Sequence, residues 1–309
     1  MITMMRSSQN DLPGVLVTGA STGIGAAVAA ELDRRGWCVF AGVRSDEASR
    51  RLLEEISPRI VPLRIDVTDR ETVAAAVTEI EKRCGDAGLA GLVNNAGIAV
   101  GGPLELVSDE DLRRQFEVNV LGLVAVTRAM LPLLRASRGR IVNMGSVSGR
   151  IALPLLGAYA ASKSALEALT DVMRVELARW GIEVAIVEAG SVKTPIWDKA
   201  RTNAAALGRA LDPEALALYG GELAAMQQVT LDEARSAMPV ERVVRAVVHA
   251  LTARRPRTRY PVDWRTRLWI LWWRSTPDRL RDRMIRFGIR HLVKKAQSSA
   301  GLTKGEGDG

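Results

Sequence analysis

Val15-Leu16-Val17-Thr18-Gly19-Ala20-Ser21-Thr22-Gly23-Ile24-Gly25 opens with three apolar residues, two of them β-branched, and then turns glycine-rich. An alanine-rich stretch follows, reading as helix to Arg35. Strand, glycine turn and helix, in that order, is the context a phosphate-binding fingerprint requires. Glycines let the backbone turn tightly and come close to a pyrophosphate, whose charge then meets the amides at the helix N-terminus. The spacing is Gly-x-x-x-Gly-x-Gly, with no Gly-Lys-Ser/Thr ending, which speaks against a P-loop nucleoside triphosphatase. The competing reading is a glycine-rich turn without a ligand.

A second apolar strand, Cys38 to Val43, ends at Arg44. In dinucleotide folds an acid near this point bonds the adenosine ribose 2′-hydroxyl. Gly42, Val43 and Arg44 supply none, and the first acid is Asp46, already in the loop. An arginine here suits a 2′-phosphate through a charge-assisted fork. The expected cofactor is therefore NADP(H), with NAD(H) as the second choice; the plainer alternative is a solvent-facing loop arginine.

Tyr159 and Lys163 stand four residues apart at the start of a helical stretch, so phenol and ammonium project from one face. A tyrosine with an unperturbed pKa of ~10 is a poor acid–base group near neutrality. A fixed cation beside it is expected to stabilise the phenolate and lower that pKa. Alone the pair is a common surface pattern. Downstream of the glycine loop it carries weight.

Together these residues resemble the short-chain dehydrogenase/reductase family over Val15 to Tyr260. The resemblance implies that Gly19, Ser21, Thr22, Gly23, Ile24 and Gly25 form the cofactor loop and that Asp66 and Val67 meet the adenine ring. It also implies that Asn94-Asn95-Ala96-Gly97 steadies the central sheet, with Asn95, Ala96 and Gly97 beside the cofactor. Asn119 resembles the asparagine that holds a proton-relay water, and Ser146 the catalytic serine thirteen positions before Tyr159. Lys163 would bind the nicotinamide ribose, and Tyr159 would lie against the same ring. Two departures stand out. Ala189-Gly190 replaces the family's Pro-Gly, although Val192 and Thr194 match its nicotinamide-side contacts, and Thr22 replaces the basic residue some NADP-dependent members carry. Asp66 could also be a strand-end cap only, and Ser148 competes with Ser146 for the cleft.

The chain has 309 residues, 47% hydrophobic and 25% charged, ordinary for a folded protein. Short apolar strands near Val15, Val39, Ile60, Leu92, Ile141 and Val184, with a late one at Arg257 to Val262, alternate with helical stretches such as Asp109 to Arg135 and Tyr159 to Trp180. That rhythm predicts an α/β fold, a doubly wound Rossmann-type parallel sheet flanked by helices. The expected organisation is a flexible N-terminus (1–12), a catalytic domain (13–262) with a substrate lid at 194–241, a basic amphipathic helical extension (263–295) and a disordered tail (296–309). Cys38 and Cys84 offer no disulfide framework, and His249 and His291 are too separated for a metal site, so no metal is expected. Met1 to Asp11 lacks the apolar core of a signal peptide, and no run approaches the ~18 to 20 apolar residues of a spanning helix. The expected location is cytoplasmic.

The formal charge of +8 is uneven. Arg254 to Lys295 holds fourteen Arg or Lys against Asp263, Asp278 and Asp282, together with Trp264, Trp269, Trp272 and Trp273. Such a segment reads either as helices walling the substrate cleft or as a peripheral membrane contact. A nucleic-acid surface is disfavoured, because no binding motif accompanies the charge. Both leading readings imply an apolar substrate, steroid-, retinoid- or lipid-like, in a cleft bordered by Leu153, Leu155, Leu156, Ile196 and Trp197. The expected function is interconversion of an alcohol with a ketone or aldehyde by a homodimer or homotetramer, paired through the helices Asp109 to Arg135 and Tyr159 to Trp180. The alternatives are an epimerase or dehydratase on the same scaffold, or a membrane-peripheral sensor or scaffold that binds NADPH.

Overall fold

The computed structural model describes residues 12–195 and 212–302, without the side chains of Arg265 and 295–302. The N-terminal 1–11, the cleft candidates Ile196 and Trp197, and the last residues from 303 lie outside the described residues.

Seven strands form one parallel sheet: β1 Gly14–Val17, β2 Cys38–Val43, β3 Val61–Arg64, β4 Gly91–Asn94, β5 Arg140–Ser146, β6 Glu183–Ala189 and β7 Arg259–Pro261, in the order β3-β2-β1-β4-β5-β6-β7. The chain winds outward from β1 to β3, then crosses back to place β4 on the other side of β1. The crevice beyond the carboxyl ends of β1 and β4 is therefore the switch point at which ligands bind in such sheets.

Helices cover both faces. They are α1 Gly23–Arg34, α2 Asp46–Glu55, α3 Arg70–Cys84, α4 Asp109–Phe116, α5 Leu123–Ser137, α6 Gly157–Leu177, α7 Pro213–Ser236, α8 Val240–Thr252, α9 Trp264–Ser275 and α10 Asp278–Leu302. Successive strand residues point to opposite faces. Val15, Val17, Val39 and Ala41 accordingly pack with Val28 and Leu32 of α1 and Val243 and Val247 of α8. Leu16, Phe40 and Leu92 pack with Ile80 of α3 and Met130 and Leu134 of α5. Burial on both faces explains why the strands read as continuous apolar runs rather than alternating ones. Each fully buried side chain such as Leu16 or Phe40 contributes about 1.5–3 kcal/mol.

A π-helical turn, Glu117–Gly122, joins α4 to α5. The resulting helix Asp109–Ser137 contains an 18-residue window of mean hydropathy 1.5, long and apolar enough by those measures to cross a membrane, which corrects the expectation that no such run exists. Half of that window is buried inside the fold, where α5 forms the core of one face. The sequence reading also ended the basic extension at Lys295. The helix instead continues to Leu302, since Ala296, Gln297 and Ala300 favour helix and each added residue costs no new nucleation.

Candidate active site

The glycine loop is shaped by sterics. Gly19 has φ +64°, and a Cβ there would lie 2.8 Å from the Ala96 Cα; a Cβ at Gly25 would lie 2.4 Å from the Gly19 carbonyl oxygen. Only glycine fits either position. Helix α1 begins at Gly23 behind Thr22, whose side chain makes no capping bond, and its first turn carries no acid. Its leading amides are thus left to an anion, and the cradle fits a pyrophosphate. The loop is braced from β4. The Asn95 side-chain amide donates to the Thr18 and Gly19 carbonyls at 3.0 Å each, and Thr18 Oγ1 accepts from the Asn95 and Ala96 amides at 3.0 and 3.1 Å. Asn95 therefore supports the loop rather than facing outward. A Cβ at Gly23 would lie 3.2 Å from the Thr194 Cβ, so the segment after β6 reaches the loop. Gly190 and Val192 lead into it, with Val192 bridged to Met238.

Along the sheet edge of this cradle, Asp66 uses Oδ1 to accept from the Thr68 amide and hydroxyl at 3.0 and 2.7 Å. Burial would raise its pKa, but the Thr68 bonds and the charge of Arg44 hold it below the ordinary value. Arg44 is exposed at the end of β2 and close enough to act on Asp66. Val67 is buried among Leu16, Phe40 and Ile65, so only its backbone can meet a ring. Ser21 and Ile24 are half-buried at the loop, with Ile24 packed on the core.

Ser146 ends β5 and is buried; its Oγ accepts from the Ser148 amide at 3.1 Å and lies near enough to the Tyr159 phenol to favour its ionised form. Ser148 sits in the following 3-10 turn and serves Ser146 through its backbone. Tyr159 and Lys163 lie on α6, the ammonium 5.8 Å from the phenol ring centre. Lys163 Nζ donates to the Met144 carbonyl at 2.7 Å, which ties α6 to β5 two residues before Ser146. Burial pushes the Tyr159 phenol up, with the Ser146 bond pulling it back; the same burial lowers Lys163 to about 8, opposed by Glu167. The expectation was a phenol lowered by Lys163; here burial raises it, and the Lys163 ammonium is held at the Met144 carbonyl.

Asn119 lies in the π turn with both ends of its amide committed. Its Oδ1 accepts from the Ile98 amide at 2.9 Å, and Nδ2 donates to the Ile98 carbonyl at 3.0 Å and to Ser162 Oγ at 3.2 Å. Gln115, fully buried, donates to the same Ser162 at 3.0 Å and clamps Ile98 and Val100. No role follows from the sequence for Gln115 or Ser162, although Ser162 stands between Tyr159 and Lys163, and Thr18 reads there only as the start of the glycine loop. Beneath Lys163, Glu167 and Glu188 share Arg150, at 3.2 and 3.1 Å, and both pair with Arg259.

The cleft mouth is framed by α7. Its Tyr219 hydroxyl bonds Glu105, its Glu233 accepts from Ser191, and its Met226 lies where a Cβ on Gly101 would be. Leu155, at φ +68°, accepts from the Gly102 amide at 2.7 Å, and Leu153 is exposed. Ile270 and Trp273 of α9 pack on Ile151 and Val147, immediately after Ser146. Helix α9 thus packs its inner side against the segment that follows Ser146.

A family profile described as short chain dehydrogenase matches residues 14–205. The chain is 37% identical to retinol dehydrogenase 16 of Mus musculus over 83% of this chain and 82% of the relative. It is 35% identical to an NADPH-dependent 3-dehydrocapnine reductase of Ornithobacterium rhinotracheale over 91% and 99%. A crystal structure of a short chain dehydrogenase from Burkholderia cenocepacia J2315 in complex with NADP superposes with a TM-score of 0.68 at 28% identity, covering 89% of this chain and 98% of that one.

Proposed function

The chain belongs to the short-chain dehydrogenase/reductase family, NAD(P)-dependent oxidoreductases of alcohols and carbonyls, and from that premise we propose that it prefers NADP(H) and acts on an apolar, retinoid- or lipid-like substrate. The observation that carries the reading is the convergence of Ser146, at the carboxyl end of β5, with Tyr159 and Lys163 on α6, where the Lys163 ammonium is tied to β5 through the Met144 carbonyl.

NADP(H), when bound, supplies or accepts the hydride. The amides from Gly19 to Gly25 would hold its pyrophosphate, Arg44 the 2′-phosphate, Asp66 and Val67 the adenine, and Gly190, Val192 and Thr194 the nicotinamide, with Ala96 and Gly97 lining the floor. During carbonyl reduction Tyr159 gives its proton to the substrate oxygen while Ser146 hydrogen-bonds that oxygen as charge develops. A phenol raised by burial holds its proton at neutral pH, which suits it as the acid. Lys163 takes ribose hydroxyls, and Asn119 serves a relay water through its backbone because its side chain is spent on Ile98 and Ser162.

The substrate class is supported by the relatives named retinol dehydrogenase and by the apolar rim of Leu155, Leu156 and Met226. Residues 13–262 act as the catalytic unit and 263–295 as a wall; of the lid expected at 194–241, residues 196–211 lie outside the described residues and α7 supplies most of the rest. Homo-oligomerisation is supported by α6, which exposes Ala161, Ser164, Ala168, Val172 and Val175 in one stripe of small and apolar side chains. Comparing NADPH and NADH consumption over a panel of ketones and aldehydes of increasing length tests the whole reading. Faster turnover of NADPH with long apolar carbonyls supports it, and a preference for NADH or for short polar carbonyls overturns it.

A further inference from the structure

Two features at the β7 edge of the sheet face away from the candidate active site. One is a cleft of about 590 Å³ lined by Arg242, Arg245 and His249 of α8, by Arg257 and Tyr260, and by Trp264. Arg242, Arg245 and His249 share the exposed face of α8, opposite the buried Val243, Val244, Val247 and Val248. The acid in the cleft wall, Asp263, uses Oδ1 to cap α9 at the Thr266 amide, 2.7 Å away. Among the described residues, Arg242, Arg245 and Arg257 form no ion pair with a carboxylate. The cleft sets three arginines against one acid.

The second feature adjoins it. Helix α9 buries Thr266, Ile270 and Trp273 on its inner side and exposes Leu268 (54%), Trp269 (52%), Leu271 (54%) and Trp272 (44%) on the other. A helix packed on a soluble protein ordinarily turns polar residues outward; this one is apolar on both sides, with exposed Arg267 and Arg274 at its flanks. Helix α10 repeats the pattern, with Leu280, Met284 and Phe287 exposed at helical spacing among Arg279, Arg283 and Arg286.

We propose that this edge docks on an anionic lipid bilayer, the α8 arginines meeting lipid phosphates while the outer Trp–Leu face of α9 rests at headgroup depth. Indoles favour that depth, and basic residues beside an apolar helix face add attraction to anionic lipid. A second copy of the chain fits poorly, because an isologous contact would set Arg267 and Arg274 against arginines of the same face. A nucleic-acid strand would gain nothing from Leu268, Leu271, Leu280 and Met284, which offer it neither stacking ring nor hydrogen bond. The surface lies on the reverse side of the helix that walls the site, so docking sets the cleft rim beside the source of an apolar substrate.

The test sediments the full chain with phosphatidylcholine vesicles and with vesicles containing about 30% phosphatidylglycerol, from ~0.1 to ~1 M salt. Partition should be at least about tenfold stronger on the anionic vesicles at low salt and lost at high salt. Leu268→Gln/Trp272→Gln should reduce partition at least about tenfold with an unchanged thermal midpoint. Arg242→Gln/Arg245→Gln, confined to exposed side chains, should weaken anionic binding and flatten its salt dependence. The proposal is overturned if the parent chain stays in the supernatant, or if both variants partition as the parent does. Inorganic phosphate saturating the cleft without any vesicle binding, or a concentration-dependent dimer abolished by Leu268→Gln/Trp272→Gln, overturns it equally.

Discussion

Thr18 and Asn95, 77 positions apart, hold each other from both ends: Thr18 Oγ1 accepts the Asn95 backbone amide, and the Asn95 side chain returns to the Thr18 carbonyl, each at 3.0 Å. The pair locks the carboxyl ends of β1 and β4 across the switch point and fixes the glycine loop before any ligand arrives. Asn95→Ala leaves the Thr18 and Gly19 carbonyls without this donor, at a cost of about 1–3 kcal/mol. The expected outcome is a lower denaturation midpoint together with cofactor affinity weakened about tenfold, read by NADPH fluorescence titration.

How far the sequence carried this picture depends on what kind of contact is asked for. Strand β1 and the loop after it were legible because local sterics and periodicity write them directly: Gly19 must be glycine at φ +64°. Arg44 was picked out by its place at the end of β2, Tyr159 and Lys163 by their helical spacing downstream of that loop, and Ser146 by the family resemblance, thirteen positions before Tyr159. Long-range polar contacts were not. Gln115 looks like any helix glutamine until α4 and α6 are packed, when Ser162 and the Ile98 carbonyl take its amide. The direction of the Tyr159 shift was misjudged for the same reason, since spacing reports which groups are neighbours and says nothing of how deeply they are desolvated.

Arg259 on the edge strand β7 anchors three acids: Glu167, Glu188 at 3.2 Å and Asp171 at 2.6 Å. Glu167 and Glu188 are almost wholly buried, and one Glu167 oxygen has no hydrogen-bond partner even now. Arg259→Ala leaves Arg150 to compensate both carboxylates, so we expect a loss of about 3–5 kcal/mol in urea unfolding. Arg259→Lys should recover part of it, since charge returns without the fork.

Lys163 carries a pH signature. Its ammonium is lowered to about 8 in the folded chain against an ordinary 10.5, so between those values the unfolded chain holds a proton that the native chain has released. Stability from this group therefore rises with pH through that window and is at its lowest below pH 8. Relative to Lys163→Met, the parent should gain about 3 kcal/mol between pH 8 and 10.5. Parallel stability–pH curves for the two proteins would contradict the burial assigned to Lys163. Comparing the pair also cancels Cys84, whose thiol is pushed up to about 11 and works in the opposite sense.

The proposed preference for NADP(H) rests on Arg44. Arg44→Ala should lower kcat/KM with NADPH by about ten- to a hundredfold, the worth of a charge-assisted bond, while leaving the value with NADH nearly unchanged. A parent enzyme that already favours NADH would contradict the assignment whatever the variant does.

The account turns on Tyr159 acting on the oxygen of an apolar carbonyl, and the most direct measurement is kcat for NADPH-dependent reduction of a retinoid-like aldehyde by the parent and by Tyr159→Phe. In the proposed mechanism the phenol touches the reacting oxygen, and the glycine loop holds the cofactor independently. The Phe variant should therefore lose about 10²- to 10⁴-fold in kcat while binding NADPH as before. A variant keeping more than about a tenth of the parent kcat, or a parent that binds NADPH and reduces no such aldehyde, would contradict it.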